Sequence, residues 1–387
     1  MKNGILKTVV ALLLAASPLI AQGQTVVVTV QNPLQIARAS ETIELNGPEL
    51  TKALAVDNPK RIHVRDNQSG AELLTQAVDF DGDAIMDQFI FQADLAPGET
   101  KTFTLSLGEP QYATREQFKA FGRFNRERWD DFAWENDRIA HRMYGPALET
   151  WQLEPLTSSG VDIWCKRTRK MVVNDWYMMD HYHIDTGEGA DMYSVGKTRG
   201  IGGSGVWDAG KLFVSKNFMM SRVIAAGPIR VLFELVYAPW DVNGVRVAET
   251  KRICLDAGQN LDRFESLYLL GRSEGLTHAA GIKKAREALV RLDQTQGSLR
   301  TWERLPGAGG NIGCALVLPP GAAPEMVEAD GNLLLLVKAQ RGQPVIYYAG
   351  FGWDKSGDFT DMAAWDKYIA EFAERLKSPV QISMKAQ

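Results

Sequence analysis

Two stretches of this 387-residue chain concentrate the side chains that do chemistry. The first runs Trp134-Glu135-Asn136-Asp137-Arg138-Ile139-Ala140-His141-Arg142-Met143-Tyr144 and ends in Gly145-Pro146-Ala147-Leu148. Read as one strand, alternation puts Asn136, Arg138, Ala140 and Arg142 on one face and Glu135, Asp137, Ile139 and His141 on the other. Charge on both faces makes poor core, so these side chains either pair in a salt-bridged lattice at a domain junction or face a cleft.

The second stretch, residues 180–200, carries His181, Tyr182, His183, Asp185, Glu188, Asp191, Tyr193, Lys197 and Arg199. Three of the five histidines fall between positions 141 and 183, and histidine is the side chain suited to proton transfer near neutral pH. Glycines at 187, 189, 200, 202, 203 and 205 permit unusual backbone angles and close approach of a ligand, so the stretch reads as an active-site loop. On a strand, His181 and His183 would share a face with Asp185, which leaves open a zinc or iron site of two imidazoles and a carboxylate.

Cations cluster nearby. Lys166 and Arg167 follow Trp164, and Lys197 and Arg199 lie in the second stretch. Either these are scattered surface charges, or they converge with Arg138 and Arg142 on an electropositive pocket for an anionic substrate such as a uronic acid, whose planar carboxylate arginine binds through both oxygens. The aromatics Trp134, Tyr144, Trp151, Trp164, Trp176, Tyr177, Tyr182, Tyr193 and Trp207 suit sugar rings, though tryptophan also fills sandwich cores. A separate motif, Asp79-Phe80-Asp81-Gly82-Asp83-Ala84-Ile85-Met86-Asp87, spaces carboxylates around a glycine turn. Asp79, Asp81, Asp83 and Asp87 would hold a structural calcium, or the stretch is a hairpin turn; Ile90 stands where an EF-hand glutamate would be.

These residues must be positioned by β structure. Runs at Val26–Val30, Ser40–Leu45, His63–Arg65, Phe89–Phe91 and Lys101–Leu107, separated by Gly, Pro, Asn and Asp turns, predict a small sandwich over 24–108. Residues 109–133, charged and without a clean period, read as a connector. From 134 the strand pattern resumes: Ile229–Tyr237 and Val247–Ile253 alternate apolar and polar residues, the mark of half-buried antiparallel strands. The spacing of Met362, Trp365, Ile369, Phe372 and Leu376 predicts one helix over 361–376, with Pro379 beyond its end. The fold class is mainly β: a small N-terminal sandwich, a large antiparallel domain over 134–387 and one C-terminal helix.

The N-terminus reads as a secretory signal peptide over 1–23. Lys2 and Lys7 precede an apolar run from Thr8 to Ile20, and Ala21-Gln22-Gly23 is a small-x-small cleavage site. Localisation is then periplasmic or secreted, with no membrane span expected. With 43 basic and 47 acidic residues and no basic run, the composition speaks against nucleic acid as a partner. Cys165, Cys254 and Cys314 are too few and too scattered for a disulfide scaffold, and they read as small buried hydrophobes.

The residues Glu135-Asn136-Asp137-Arg138 through Tyr144–Leu148, then His181-Tyr182-His183 through Gly187, Gly189 and Asp191, with Gly227-Pro228 and Glu249, Lys251 and Arg252, carry a resemblance. The chain resembles, over most of its mature length, an uncharacterised domain family of bacterial polysaccharide-utilisation systems. That family is associated with the galactose-mutarotase-like β-supersandwich. The resemblance implies that fold for residues 134–387; the superfamily includes epimerases, lyases and hydrolases, so fold does not choose the reaction.

The residues themselves suggest an enzyme of β-elimination on uronic-acid-containing oligosaccharides. His181 or His183 would be the base, Tyr182, Tyr193 or Tyr144 the acid, and Arg138, Arg142, Lys197 or Arg199 the carboxylate partner, with His141 and Lys166 nearby. A hydrolase would instead use two of Glu135, Asp137, Asp185, Glu188 and Asp191. A noncatalytic glycan-binding accessory protein, or a mutarotase, completes the alternatives. The partners are anionic oligosaccharide or polysaccharide fragments. No cofactor is required; calcium at the Asp79–Asp87 turn is the first metal candidate and zinc the second.

Overall fold

The computed structural model describes residues 24–153, 155–179, 182–271, 275–322 and 324–387. The expected signal peptide and His181 lie outside the described residues. Alternation builds the first sandwich. In Val26–Gln31 the valines at 26, 28 and 30 are buried, and the strand is flanked by Thr100–Leu107 and by Gln381–Ala386. The five-stranded sheet is completed by Ile62–Asp66 and Glu72–Leu73. A three-stranded sheet of Arg38–Asn46, Gln88–Leu95 and Thr75–Val78 covers it, with Ile43, Leu45, Phe89 and Phe91 facing Phe103 and Leu105 in the core. The chain's last strand therefore lies in its first sandwich.

Three antiparallel sheets make the larger part. Eight strands are ordered Phe218–Ala226, Arg230–Val242, Val245–Asp256, Leu261–Leu270, Val345–Trp353, Asn311–Val317, Ser298–Arg304 and Leu289–Asp293. Five more run Lys211–Phe213, Ile201–Asp208, Leu276–Lys283, Asn332–Ala339 and Glu325–Ala329. The third sheet is Gly189–Ala190, Val161–Lys166, Ala140–Met143, Asp131–Asn136 and Ala120–Asn125. One apolar core joins them, with Phe132, Trp134 and Ile163 from the third sheet meeting Val231, Phe233 and Ile253 of the first and Ile201, Ala280 and Leu335 of the second.

The expected helix is present as Met362–Lys377, with the Asp361 carboxylate accepting the Ala364 N–H at 2.9 Å. It buries Trp365, Ile369 and Ala373 against the outer face of the eight-stranded sheet. Among the described residues no helix is long and apolar enough to cross a membrane.

Two local readings are corrected. The stretch 109–133 contains a sheet strand, Ala120–Asn125, paired with Asp131–Asn136. Residues 134–143 are not one strand but two, Asp131–Asn136 and Ala140–Met143, joined as a hairpin. The Asn136 side-chain oxygen accepts the N–H groups of Arg138 and Ile139 at 2.8 and 2.9 Å, an Asx turn that reverses the chain without glycine.

Candidate active site

The hairpin decides which charges meet. Arg142 stands directly opposite Asp162 in the ladder between Ala140–Met143 and Val161–Lys166. Its Nε donates to Asp162 Oδ2 at 2.9 Å, and Tyr144 Oη donates to the same oxygen at 3.1 Å. Asp191 arrives from the neighbouring edge. Gly189–Ala190 pairs with Cys165 and Lys166, and Gly189 sits at φ 115°, where a Cβ would lie 2.0 Å from the Cys165 carbonyl oxygen. Only glycine lets the loop close on the strand there, and it places the Asp191 carboxyl 3.2 Å from Arg142 Nη2. Asp131 lies 3.6 Å from Arg142 Nη1 and accepts the Gly145 N–H at 2.9 Å.

Three carboxyl groups thus surround one guanidinium in a buried setting. Burial pushes Asp131 up to about 7 against the attraction of Arg142. Burial and the neighbouring Asp162 hold Asp191 well above the usual carboxylate range. For Arg142, burial pulls the other way, but Asp162 and Asp191 outweigh it and keep the guanidinium firmly charged. One cation cannot compensate every desolvated carboxylate, so the cluster stores protons.

The cluster floors a cavity of about 860 Å³. Above it, Tyr182 receives hydrogen bonds from Arg128 and, at 3.3 Å, from Arg142 Nη1, and burial raises its phenol. His183 stacks beside Tyr182, with ring centroids 4.3 Å apart; its side chain is 59% exposed and its Nδ1 lies 3.2 Å from the Asp191 carbonyl oxygen. If Nδ1 carries the proton, Nε2 is left as a free base. Trp129, Trp151 and Lys355 complete the wall.

A family model described as a domain of unknown function, DUF4861, matches residues 30–382. The chain belongs to this family. It is 34% identical over 373 residues to an uncharacterized protein, P7, of Formosa agariphila, covering 92% of this chain and 93% of that one. Two solved structures from Enterococcus faecalis share the fold. One is an alpha-mannosidase (TM-score 0.51, 11% identity, 93% of this chain and 46% of that chain). The other is a protein in glycosyl hydrolase family 38 (TM-score 0.52, 11% identity, 95% and 48%). The chain spans about half the length of these two structures.

Of the residues singled out by sequence, Arg142, Tyr182, His183 and Asp191 come together at this cavity, and Tyr144, Tyr193 and Asp185 also line it. Trp151 lines it as well, and several other candidates lie elsewhere. His141 points from the opposite face of its strand into the core, with Nε2 2.9 Å from Asp262 and its ring stacked on Trp134. Lys166 is sealed against Glu135 at 2.8 Å and the Asn136 carbonyl oxygen at 2.7 Å, while Glu135 also accepts the N–H groups of Val172 and Val173. Arg138 pairs with Asp358, and Glu188 with Lys170 at 3.0 Å. Arg199 is spent on Ser158, Ser159 and the carbonyl oxygens of Lys197 and Ser204, and Lys197 is exposed outside the cavity lining. Trp164 packs beneath Tyr182 rather than on the wall.

The salt-bridged lattice thus describes the hairpin, Arg142 included, and Arg142 and Tyr144 also face the cavity. The strand reading is corrected for 182–185: His183 sits in a turn, and Asp185 is held by both terminal nitrogens of Arg167 at 3.0 and 2.6 Å. At the first sandwich, Asp79, Asp81 and Asp87 bring carboxylate oxygens within 4.8 Å of one another, whereas Asp83 turns to the Ile85 N–H. Arg128, Trp129, Asp131 and Asp162 escaped the sequence reading. A signal existed for Asp162, an acid inside the apolar run Val161–Cys165.

Proposed function

We propose that this protein is an exported carbohydrate-active enzyme that cleaves uronic-acid-containing oligosaccharides by β-elimination, on a galactose-mutarotase-like β-supersandwich of the polysaccharide-utilisation kind. The observation that carries the reading is the order of groups in the cavity. The carboxyls of Asp162 and Asp191 lie at the bottom, tied to Arg142, and the Asp185 carboxylate on the wall is paired with Arg167, while an imidazole, a phenol and cations line the same cavity. In this reaction His183 Nε2 takes the proton from the carbon beside the carboxylate, and that electron pair forms the new carbon–carbon double bond. The bond to the departing oxygen breaks, and Tyr182 returns a proton to it. Arg128, whose partner is a phenol, and Lys355, whose partner is the Ala308 carbonyl oxygen, are paired with no carboxylate among the described residues and can meet the substrate carboxylate.

A second reading is hydrolysis. It is favoured by the proton-retaining Asp191 beside Asp162 and by the carbohydrate chemistry in the names of the two structures that share the fold. A binder without turnover is the third. Incubating the exported chain with a panel of uronate oligosaccharides separates them. Ultraviolet-absorbing unsaturated ends mean elimination, shorter products without that absorbance mean hydrolysis, and saturable binding without product means an accessory protein. A structural calcium at Asp79, Asp81 and Asp87 is proposed alongside, remote from this chemistry.

A further inference from the structure

Between the strands Ala120–Asn125 and Asp131–Asn136 the chain makes a short 3-10 turn, Arg126–Arg128, and the next two residues are both left-handed: Trp129 at φ 56° and Asp130 at φ 66°. Bulky side chains rarely occupy that region, because Cβ crowds the backbone, and they persist there only where the surroundings over-determine them. Here two contacts do so. A Cβ on Gly145 would come within 1.8 Å of the Asp130 carbonyl oxygen, and the Asp131 carboxyl holds the Gly145 N–H.

That conformation places the Trp129 indole on the cavity wall. It stacks on Trp151 with centroids 4.9 Å apart and 27° between planes, and it remains 37% exposed. A tryptophan held in disfavoured backbone and left open to water is not there to fill a core. Arg128, one residue earlier, turns inward, its guanidinium 4.7 Å from the centre of the Tyr182 ring. A single turn therefore delivers a cation to the acid–base groups and a flat apolar face to the cavity wall.

We infer that Trp129, backed by Trp151, forms a second subsite that stacks on a sugar ring adjacent to the one meeting Arg128, so that the preferred ligand is at least a disaccharide. The inference rests on the glycan reading of this pocket. The apolar C–H face of a pyranose lies naturally on an indole, and the polar rim of the ring stays in water.

Trp129→Gly is the clean test, because glycine takes φ 56° without strain and removes only the ring. Binding and turnover would be followed for uronate mono- to tetrasaccharides. In the wild type, affinity should rise from monosaccharide to disaccharide. Trp129→Gly should lose that rise, about tenfold, while monosaccharide binding and the melting temperature are maintained, and Trp129→Phe should recover most of it. An unchanged dependence on chain length in Trp129→Gly overturns the subsite and leaves the glycan reading standing. A lowered melting temperature with equal losses for every ligand overturns it as well, since Trp129 is then a packing residue. If the wild type binds no glycan of any length, the glycan reading itself falls and the subsite with it.

Discussion

Two of the protein's buried ionic clusters are built for different ends. Lys251 donates to Glu249 at 2.6 Å and to Ser204 and Ser266 at 2.5 and 3.2 Å, between the eight-stranded and the second sheets. His278 lies beside it, bonded to Tyr268 at 2.7 Å, with burial first and Lys251 second pushing its imidazole well below the usual range. One cation meets one carboxylate there, and Glu249, Lys251 and His278 are 3%, 0% and 0% exposed. Around Arg142, three carboxyls meet one guanidinium, and the cluster opens upward to His183 and the cavity. Burial of charge is therefore no mark of a site by itself; surplus protons and access to a ligand are.

His183 is where the two clusters differ most. Because its side chain is largely exposed, His183→Ala should leave unfolding free energy within about 0.5 kcal/mol in urea titrations. Turnover of uronate oligosaccharide should fall by about 10²–10⁴. Undiminished turnover in this variant would make the Arg142 cluster as structural as the other.

Next come the cations. Arg142→Met and Lys251→Met each strand buried carboxylate and should cost about 3–5 kcal/mol in chemical denaturation. Pairing Lys251→Met with Glu249→Gln should recover most of the loss. Pairing Arg142→Met with Asp162→Asn should recover less, since Asp131 and Asp191 still lose the cation they share and must be protonated to stay buried. Equal recovery in both pairs would mean that the two clusters are alike.

A pH series sharpens the same point. Asp131 is raised from 3.8 to about 7, so the folded state binds more protons than the unfolded one across that window. Its contribution is complete below 3.8 and is lost as pH rises through about 7, worth up to about 4 kcal/mol at 1.36 per unit. Asp131→Asn should flatten this fall in denaturation midpoints measured from pH 4 to 8, leaving the parts due to Asp191, which burial holds well above the usual range, and to Glu303, which burial raises to about 7. An identical slope in the variant would place the surplus protons elsewhere.

The smallest effect is expected in the first sandwich. Calcium should raise the melting temperature by a few degrees in the wild type and not in Asp81→Asn, with turnover unchanged. Equal shifts in both proteins would mean nonspecific binding.

Much of the scaffold was legible because its elements are local. Val26, Val28 and Val30 alternate, and Met362–Lys377 repeats apolar residues with the helix period, so each declares its buried face within a dozen residues. The hairpin at Asn136 was missed because an Asx turn made by Asn136, with Asp137 and Arg138, looks like any polar strand. The sheet edge completed by Gln381–Ala386 depends on pairing with residues at the other end of the chain, to which no local pattern points.

For the site, the sequence alone determined which stretches hold imidazole, phenol, guanidinium and carboxyl groups, and that glycines would let a loop approach them. It did not sort them. Arg142 and His141 are neighbours in the chain, yet alternation sends one to the cavity and the other to the core against Asp262. Lys166 and Asp162 share a strand, but the partner each meets was settled by strand register and by the turn that brings in Asp191. Which charges are neutralised, which keep protons and which face open space are properties of pairs brought together across sheets, because desolvation and Coulomb attraction act through space rather than along the chain.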